Sequence, residues 1–196
     1  MSKINGIYAA SVSILDENLK LDIHKTIRHA ENLIKSGCHG VVIFGSTGQS
    51  QLISLEEKFE LIQNISKSIF KDKFIIGTGL NSLQDTISLI KISNSYNFNN
   101  FLIMPPAYYM YEDKDVIRFY IKLIEKLSNC KIILYNFEKL SGYKFSKESV
   151  EKLVSLFPEN IIGVKDSSYN LYENLKLKNF SILPGSELKL LKGLEI

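Results

Sequence analysis

Lys165 is the residue of this sequence whose type and setting point most directly to covalent chemistry. It follows the apolar run Ile161-Ile162-Gly163-Val164, so a strand there carries a single amine to its C-terminal end. Removal from water disfavours the charged form of an amine, and the neutral amine is the species that attacks a ketone. Strand context alone favours a lysine that only carries its charge to solvent. Tyr135, at the end of the run Ile132-Ile133-Leu134, shifts that balance. Carbinolamine formation, its dehydration and enamine formation all need proton transfers, which an exchangeable phenol supports. In Gly45-Ser46-Thr47-Gly48, Ser46 and Thr47 add hydroxyls suited to relaying protons or binding a carboxylate. Gly45 and Gly48 let such an anion approach the backbone N–H groups. Read separately, the glycine pair frames a loop and Tyr135 is a core aromatic. Together they supply electrophile capture, proton transfer and anion binding.

These residues stand at the ends of short apolar runs. The strand candidates are Ile7–Ser11, Val41–Phe44, Phe74–Gly77, Asn100–Met104, Ile132–Tyr135, Ile161–Lys165 and Ile182–Pro184. Continuous runs of this kind suit parallel strands covered on both faces. Their C-terminal ends are 33, 33, 27, 31, 30 and 19 residues apart, and intervals near thirty match a βαβ unit with its crossover helix. Helix starts fall between them. Asp22 precedes Ile23, Ile27, Ala30 and Ile34, and Ser54 with Glu57 reads as a capping box ahead of Leu55, Phe59, Ile62, Ile65 and Ile69. Ser82 with Asp85 opens a third helix that aligns Leu83, Ile87 and Ile90. Ser146 opens another over Val150, Leu153, Val154 and Phe157, and Pro158 stops it.

Alternating units permit an open doubly wound sheet or a closed barrel. No glycine fingerprint of dinucleotide binding follows the first strand, and Gly77-Thr78-Gly79 lacks the third glycine. Reactive residues recur instead at strand C-termini, where (β/α)-barrel enzymes assemble their sites. The expected fold class is therefore α/β, a TIM-type (β/α)8 barrel. In such a barrel the ends of the fifth and sixth strands are neighbours, which brings Tyr135 towards Lys165.

Composition narrows the function classes. The 196 residues suit one domain over 1–196, with 45% hydrophobic and 23% charged residues and a net charge of +3 spread along the chain. No basic run is interleaved with aromatics, so nucleic acid is not an expected partner. No run approaches a membrane span, and the N-terminus lacks a signal-peptide core, so a cytoplasmic location is expected. Cys38 and Cys130 lie far apart and read as reduced thiols. His24 and His29 are five apart on one helix and do not share a face well enough for a metal. No metal site is expected, and no cofactor, because a Schiff-base lysine is its own electron sink.

Several segments together resemble a family. FGSTGQSQLISLEEK, GTGLNS, MPPAYY, ILYNFEKLSG and IIGVKDSS are similar, in order and spacing, to the motifs of the dihydrodipicolinate synthase/N-acetylneuraminate lyase family, from about Gly6 to Glu187. The resemblance implies a class I aldolase or synthase that forms a lysine Schiff base with pyruvate or another 2-oxo acid. By it, Lys165 is the Schiff-base lysine and Tyr135 the proton-shuttling tyrosine. Ser46 and Thr47 are the hydroxyl pair at the pyruvyl carboxylate. Tyr109 matches a tyrosine that reaches a neighbouring subunit's site, which implies a homo-oligomer, a dimer or tetramer. Gly185 matches a glycine lining the pocket.

The departures bear on substrate. Where true synthases carry an arginine for the aldehyde substrate's carboxylate, this chain has Leu140, which makes no bidentate contact. Gln49 replaces a common glutamate, and Glu138 stands where proline is usual. Cleavage or synthesis of a 2-keto-3-deoxy sugar acid is favoured over the 4-hydroxy-tetrahydrodipicolinate synthase reaction of lysine biosynthesis. The seven strand candidates end before an eighth, within a seventh helix at 191–196, so the barrel is expected to be incomplete, without the eighth strand and the C-terminal helices. A non-catalytic remnant is the alternative from another class.

Overall fold

Each apolar run named above is a strand in the computed structural model, which describes residues 4–127 and 129–194. The strands are β1 (Tyr8–Ala10), β2 (Gly40–Ile43), β3 (Phe74–Gly77), β4 (Asn100–Ile103), β5 (Lys131–Asn136), β6 (Ile161–Asp166) and β7 (Ser181–Pro184). Helices alternate with them: α1 (Ile23–Lys35), α2 (Leu55–Ile65), α3 (Leu83–Ser95), α4 (Asp113–Ile124), α5 (Glu138–Ser141), α6 (Lys147–Leu156) and α7 (Leu190–Leu194). This is the repeat of a TIM-type (β/α)8 barrel, with seven strands and no eighth among the described residues. Glu195 and Ile196, at the end of the expected seventh helix, lie outside the described residues.

Contacts cluster the chain into two compact units, one of Gly6–Leu102 and a second of Ile4 and Asn5 with the residues from Ile103 onward. In the first, β1 to β4 pair side by side and parallel, with Ala10 opposite Val42 and Ile43 opposite Ile76. Every residue of β2 and β3 is buried, as parallel strands covered on both faces require. Gly77 has no alternative there, because a Cβ would stand 2.3 Å from the Phe44 carbonyl oxygen.

The helix starts form as their sequences indicate. The side chains of Asp22, Ser54, Ser82 and Ser146 each accept a first-turn backbone N–H, and Ser54 with Glu57 completes a capping box. The inner face of α2 differs from the expected stripe. Lys58, Leu61, Ile62 and Ile65 are buried, whereas Ile69 lies beyond the helix end and is 89% exposed. Lys58, Leu61, Ile62 and Ile65 have the i, i+3, i+4, i+7 spacing of a single helix face, and the lysine had masked it.

In the second unit β5, β6 and β7 pair in that order, again parallel. The Tyr120 hydroxyl, fully buried on α4, donates to the Ile103 carbonyl at 2.7 Å. Helix α6 ends at Leu156, one residue short of Phe157 and two short of Pro158. No described helix is long and apolar enough to cross a membrane.

Candidate active site

Lys165 and Tyr135 are brought together by the pairing of β5 with β6. Partners run Ile132 with Ile161 and then Ile133 with Gly163, so Ile162 is an extra residue in β6. Such a bulge moves every later residue of that strand by one position. With it, Lys165 stands opposite Tyr135 and Asp166 opposite Asn136. Without it, Tyr135 would face Val164, and the lysine would point to the other side of the sheet. The half-buried Lys165 Nζ lies 4.7 Å from the centroid of the Tyr135 ring, and Tyr135 is buried. Amine and phenol ring are thus adjacent.

Successive side chains of a strand point to opposite faces, so Asn136 and Asp166 lie on the side away from the amine. Both are fully buried. Asp166 Oδ1 accepts from Asn136 Nδ2 at 2.7 Å and from the Tyr169 N–H at 2.9 Å. Its Oδ2 accepts from the N–H groups of Leu171 and Tyr172 at 2.8 and 3.0 Å. Asn136 Nδ2 also donates to Asn170 Oδ1, and Asn136 Oδ1 accepts the Phe145 N–H. The sequence carries a sign of this pair, since Tyr-Asn and Lys-Asp close neighbouring strands with the same offset.

Gly185, after β7, packs on the same strand end. Its N–H donates to the Asp166 carbonyl, and a Cβ there would fall 2.0 Å from Ser167 Oγ. A Cβ would also stand 2.9 Å from Ser167 Cβ and 3.0 Å from its Cα, so a larger residue there would press on the loop after β6. The loop after β5 is tied to the loop after β6 by the Glu138 N–H, which donates to Ser168 Oγ at 2.9 Å. Leu140 is 45% exposed on α5. Tyr109 is 66% exposed in the loop after β4, and its ring meets Tyr108 edge-on at 5.1 Å. The neighbouring Tyr108 has a positive φ of 84°.

Ser46 and Thr47 belong to the first unit, where both are exposed in the loop after β2 while Gly45 and Gly48 are buried. Phe44 and Gln49 bracket this loop with positive φ of 55° and 50°. A Cβ on Gly48 would stand 2.9 Å from the Ser11 carbonyl oxygen, and Ser13 Oγ donates to the Gly48 carbonyl at 2.6 Å. Strained non-glycine backbone on both sides of a tightly held loop is typical of ligand-binding segments. His39 has a structural role, its Nδ1 accepting the Ile7 N–H at 3.1 Å. Among the described residues no group of three His, Cys, Asp or Glu side chains is placed to hold a metal ion.

Among the described residues, a seven-stranded (β/α) repeat with a lysine and a tyrosine facing each other at the ends of β5 and β6 defines the fold class, an incomplete (β/α) barrel. Within it, the model of the dihydrodipicolinate synthetase family matches residues 3–196, and the chain belongs to that family. A 4-hydroxy-tetrahydrodipicolinate synthase of Listeria monocytogenes is 34% identical over 158 residues, 80% of this chain and 52% of the relative. The crystal structure of dihydrodipicolinate synthase from Agrobacterium tumefaciens superposes with a TM-score of 0.89 at 26% identity, covering 97% of this chain and 69% of that one. A variant of the 2-keto-3-deoxygluconate aldolase of Sulfolobus solfataricus superposes with a TM-score of 0.74 at 26% identity, over 85% of this chain and 54% of that one. The chain spans between 52% and 65% of the length of the first curated relatives it matches.

Proposed function

We propose that this chain carries the Schiff-base site of a class I aldolase or lyase acting on pyruvate or another 2-oxo acid. The observation that carries the reading is the Lys165 amine set 4.7 Å from the Tyr135 ring in paired register. Neutral Lys165 adds to C2 of the oxo acid, and the carbinolamine loses water to leave a protonated imine. That imine draws electrons from C3, so a carbon–carbon bond at C3 breaks or forms without a metal or another cofactor. Tyr135 supplies and removes the protons of these steps. The family motifs assign carboxylate binding to Ser46 and Thr47, with Gly45 and Gly48, and a pocket-lining role to Gly185.

The test is to incubate the protein with pyruvate and borohydride and to map the mass adduct. A reduced pyruvyl adduct on Lys165 is expected, lost in Lys165→Ala. Folded protein that gains no adduct at Lys165 would sink the reading in favour of a non-catalytic family member.

For the overall reaction, Leu140 supports cleavage or synthesis of a 2-keto-3-deoxy sugar acid, since an exposed leucine offers a carboxylated aldehyde no bidentate partner. The synthase reaction with aspartate semialdehyde is the second reading, favoured by the name of the Listeria relative. Turnover of sugar 2-oxo acids well above that of the semialdehyde is expected, and the reverse order would overturn the argument from Leu140. A cytoplasmic homo-oligomer, in which Tyr109 reaches into the catalytic site of a neighbouring subunit, completes the proposal.

A further inference from the structure

We infer that Asn136 and Asp166 form a buried bridge that sets Lys165 against Tyr135, which makes both positioning residues for this chemistry. The inference rests on the proposed function for the reaction, though not for the geometry. Each bridging residue directly follows one of the reacting pair, and the two are register partners in adjacent strands. Because strand side chains alternate, a bond between 136 and 166 on one face fixes the separation of 135 and 165 on the other.

The donor and acceptor pattern shows how firmly this is done. Four N–H donors converge on the Asp166 carboxylate, two on each oxygen. Three of the donors are backbone groups of the loop after β6, where Tyr169 takes a positive φ of 58°. The fourth is Asn136, itself anchored through Asn170 and the Phe145 N–H. The Ser167 N–H adds a backbone bond to the Asn136 carbonyl at 2.8 Å. A strand end held at so many points resists slipping past its neighbour. Neither Asn136 nor Asp166 contacts substrate, because both side chains are fully buried.

Charge and polarity give the experiment. Asp166→Asn presents an amide N–H to backbone N–H donors in either orientation, and Asn136→Asp sets a second carboxylate against the first. The double variant Asn136→Asp with Asp166→Asn restores one donor facing one acceptor. Two readouts are taken on the full chain, with unfolding curves confirming that each variant is folded. The first is the rate of borohydride-trapped adduct formation at Lys165 across pyruvate concentrations. The second uses no substrate: reductive methylation with carbon-13 formaldehyde labels Lys165, whose methyl resonance is displaced upfield by the Tyr135 ring current and assigned with Tyr135→Leu.

In Asp166→Asn the saturating trapping rate is expected to fall about 10- to 100-fold, the scale of a misplaced reacting group. The half-saturating pyruvate concentration changes less than about threefold, since the carboxylate-binding residues are untouched, and the unfolding curves exclude loss of folded protein as the cause of the slower rate. The upfield displacement is lost. The double variant recovers at least part of both losses, where independent effects would multiply. Asn136→Ser leaves three backbone donors on Asp166 and carries the same expectation if Asp166→Asn does not fold. A folded single variant with wild-type trapping and an unmoved resonance, or a double variant showing the product of the two losses, would overturn the bridge. If wild-type protein forms no pyruvate adduct, the proposed function fails, and the methyl resonance alone then decides the bridge.

Discussion

Lys58 carries an ammonium with no solvent exposure inside the first unit. Its Nζ donates to the Thr78 carbonyl at 3.3 Å and stands 5.8 Å from the centroid of the Phe44 ring. Desolvation pulls its pKa from 10.5 down to about 8, against a weaker upward pull from the Asp85 carboxylate. Below pH 8 the folded and unfolded chains both hold the proton, and the full cost of burying the charge, about 3 kcal/mol, is felt. Between pH 8 and 10.5 the unfolded chain holds a proton the folded chain has released, so this residue's contribution to stability rises with pH. Lys58→Met is therefore expected to be more stable than wild type at pH 7, by about 1–3 kcal/mol. That advantage shrinks as the pH climbs through 8 towards 10, while the remaining groups titrate alike in both proteins. Urea unfolding at a series of pH values measures it. A variant less stable by the same margin at every pH would mean that the hydrogen bond and the ring contact outweigh desolvation. Residue identity alone misleads here, since the spacing to Leu61, Ile62 and Ile65 marks Lys58 as inward while its charge argues for a solvated face.

At the scale of elements, the strands were legible because β2, β3 and the cores of β5 and β6 are unbroken apolar runs, and the helix starts because their caps are local signals. Boundaries shifted by a residue or so, and α2 turned its inner face by one position. The bulge at Ile162 was not legible, because a bulge is a property of two paired strands and β6 alone reads as a regular run. It nevertheless decides which side of the sheet Lys165 faces. The pairing of β6 with β7 supports the same strand from its other edge, with Gly163 opposite Ser181. A Cβ at Gly163 would stand 2.6 Å from the Ser181 carbonyl oxygen, too near for backbone to yield easily. Gly163→Ala is expected to cost about 1–3 kcal/mol of stability, the usual range for overpacking, and to lower the yield of trapped pyruvate. Chemical denaturation with the adduct assay checks both, and a variant of unchanged stability would show that β7 gives way without cost.

At the scale of the whole molecule, the sequence placed Lys165 and Tyr135 together through a barrel argument, and the pairing of β5 with β6 gives that argument its register. The role of Ser46 and Thr47 rests on residue type and family motif, because the loop after β2 belongs to the other unit. Assembly was legible only through Tyr109. The described surface adds two neighbours, since Tyr108, Tyr109 and Met110 are consecutive and 89%, 66% and 89% exposed. Three large apolar side chains in sequence, presented by a loop whose Tyr108 holds a positive φ, are unusual on a surface that meets only water. In the proposed homo-oligomer they are covered by a second copy of this chain. Sedimentation of the wild-type protein is then expected to give a concentration-dependent dimer or tetramer. Tyr109→Ser combined with Met110→Ser should weaken the association about tenfold or more, as loss of central aromatic contacts does. Neither side chain is part of the buried core, so the melting temperature of the dissociated protein should stay within a few degrees of wild type at equal dilution. A wild-type chain that remains monomeric at high concentration, or a double variant that associates unchanged, would remove this loop from the assembly and leave Tyr109 without its proposed role.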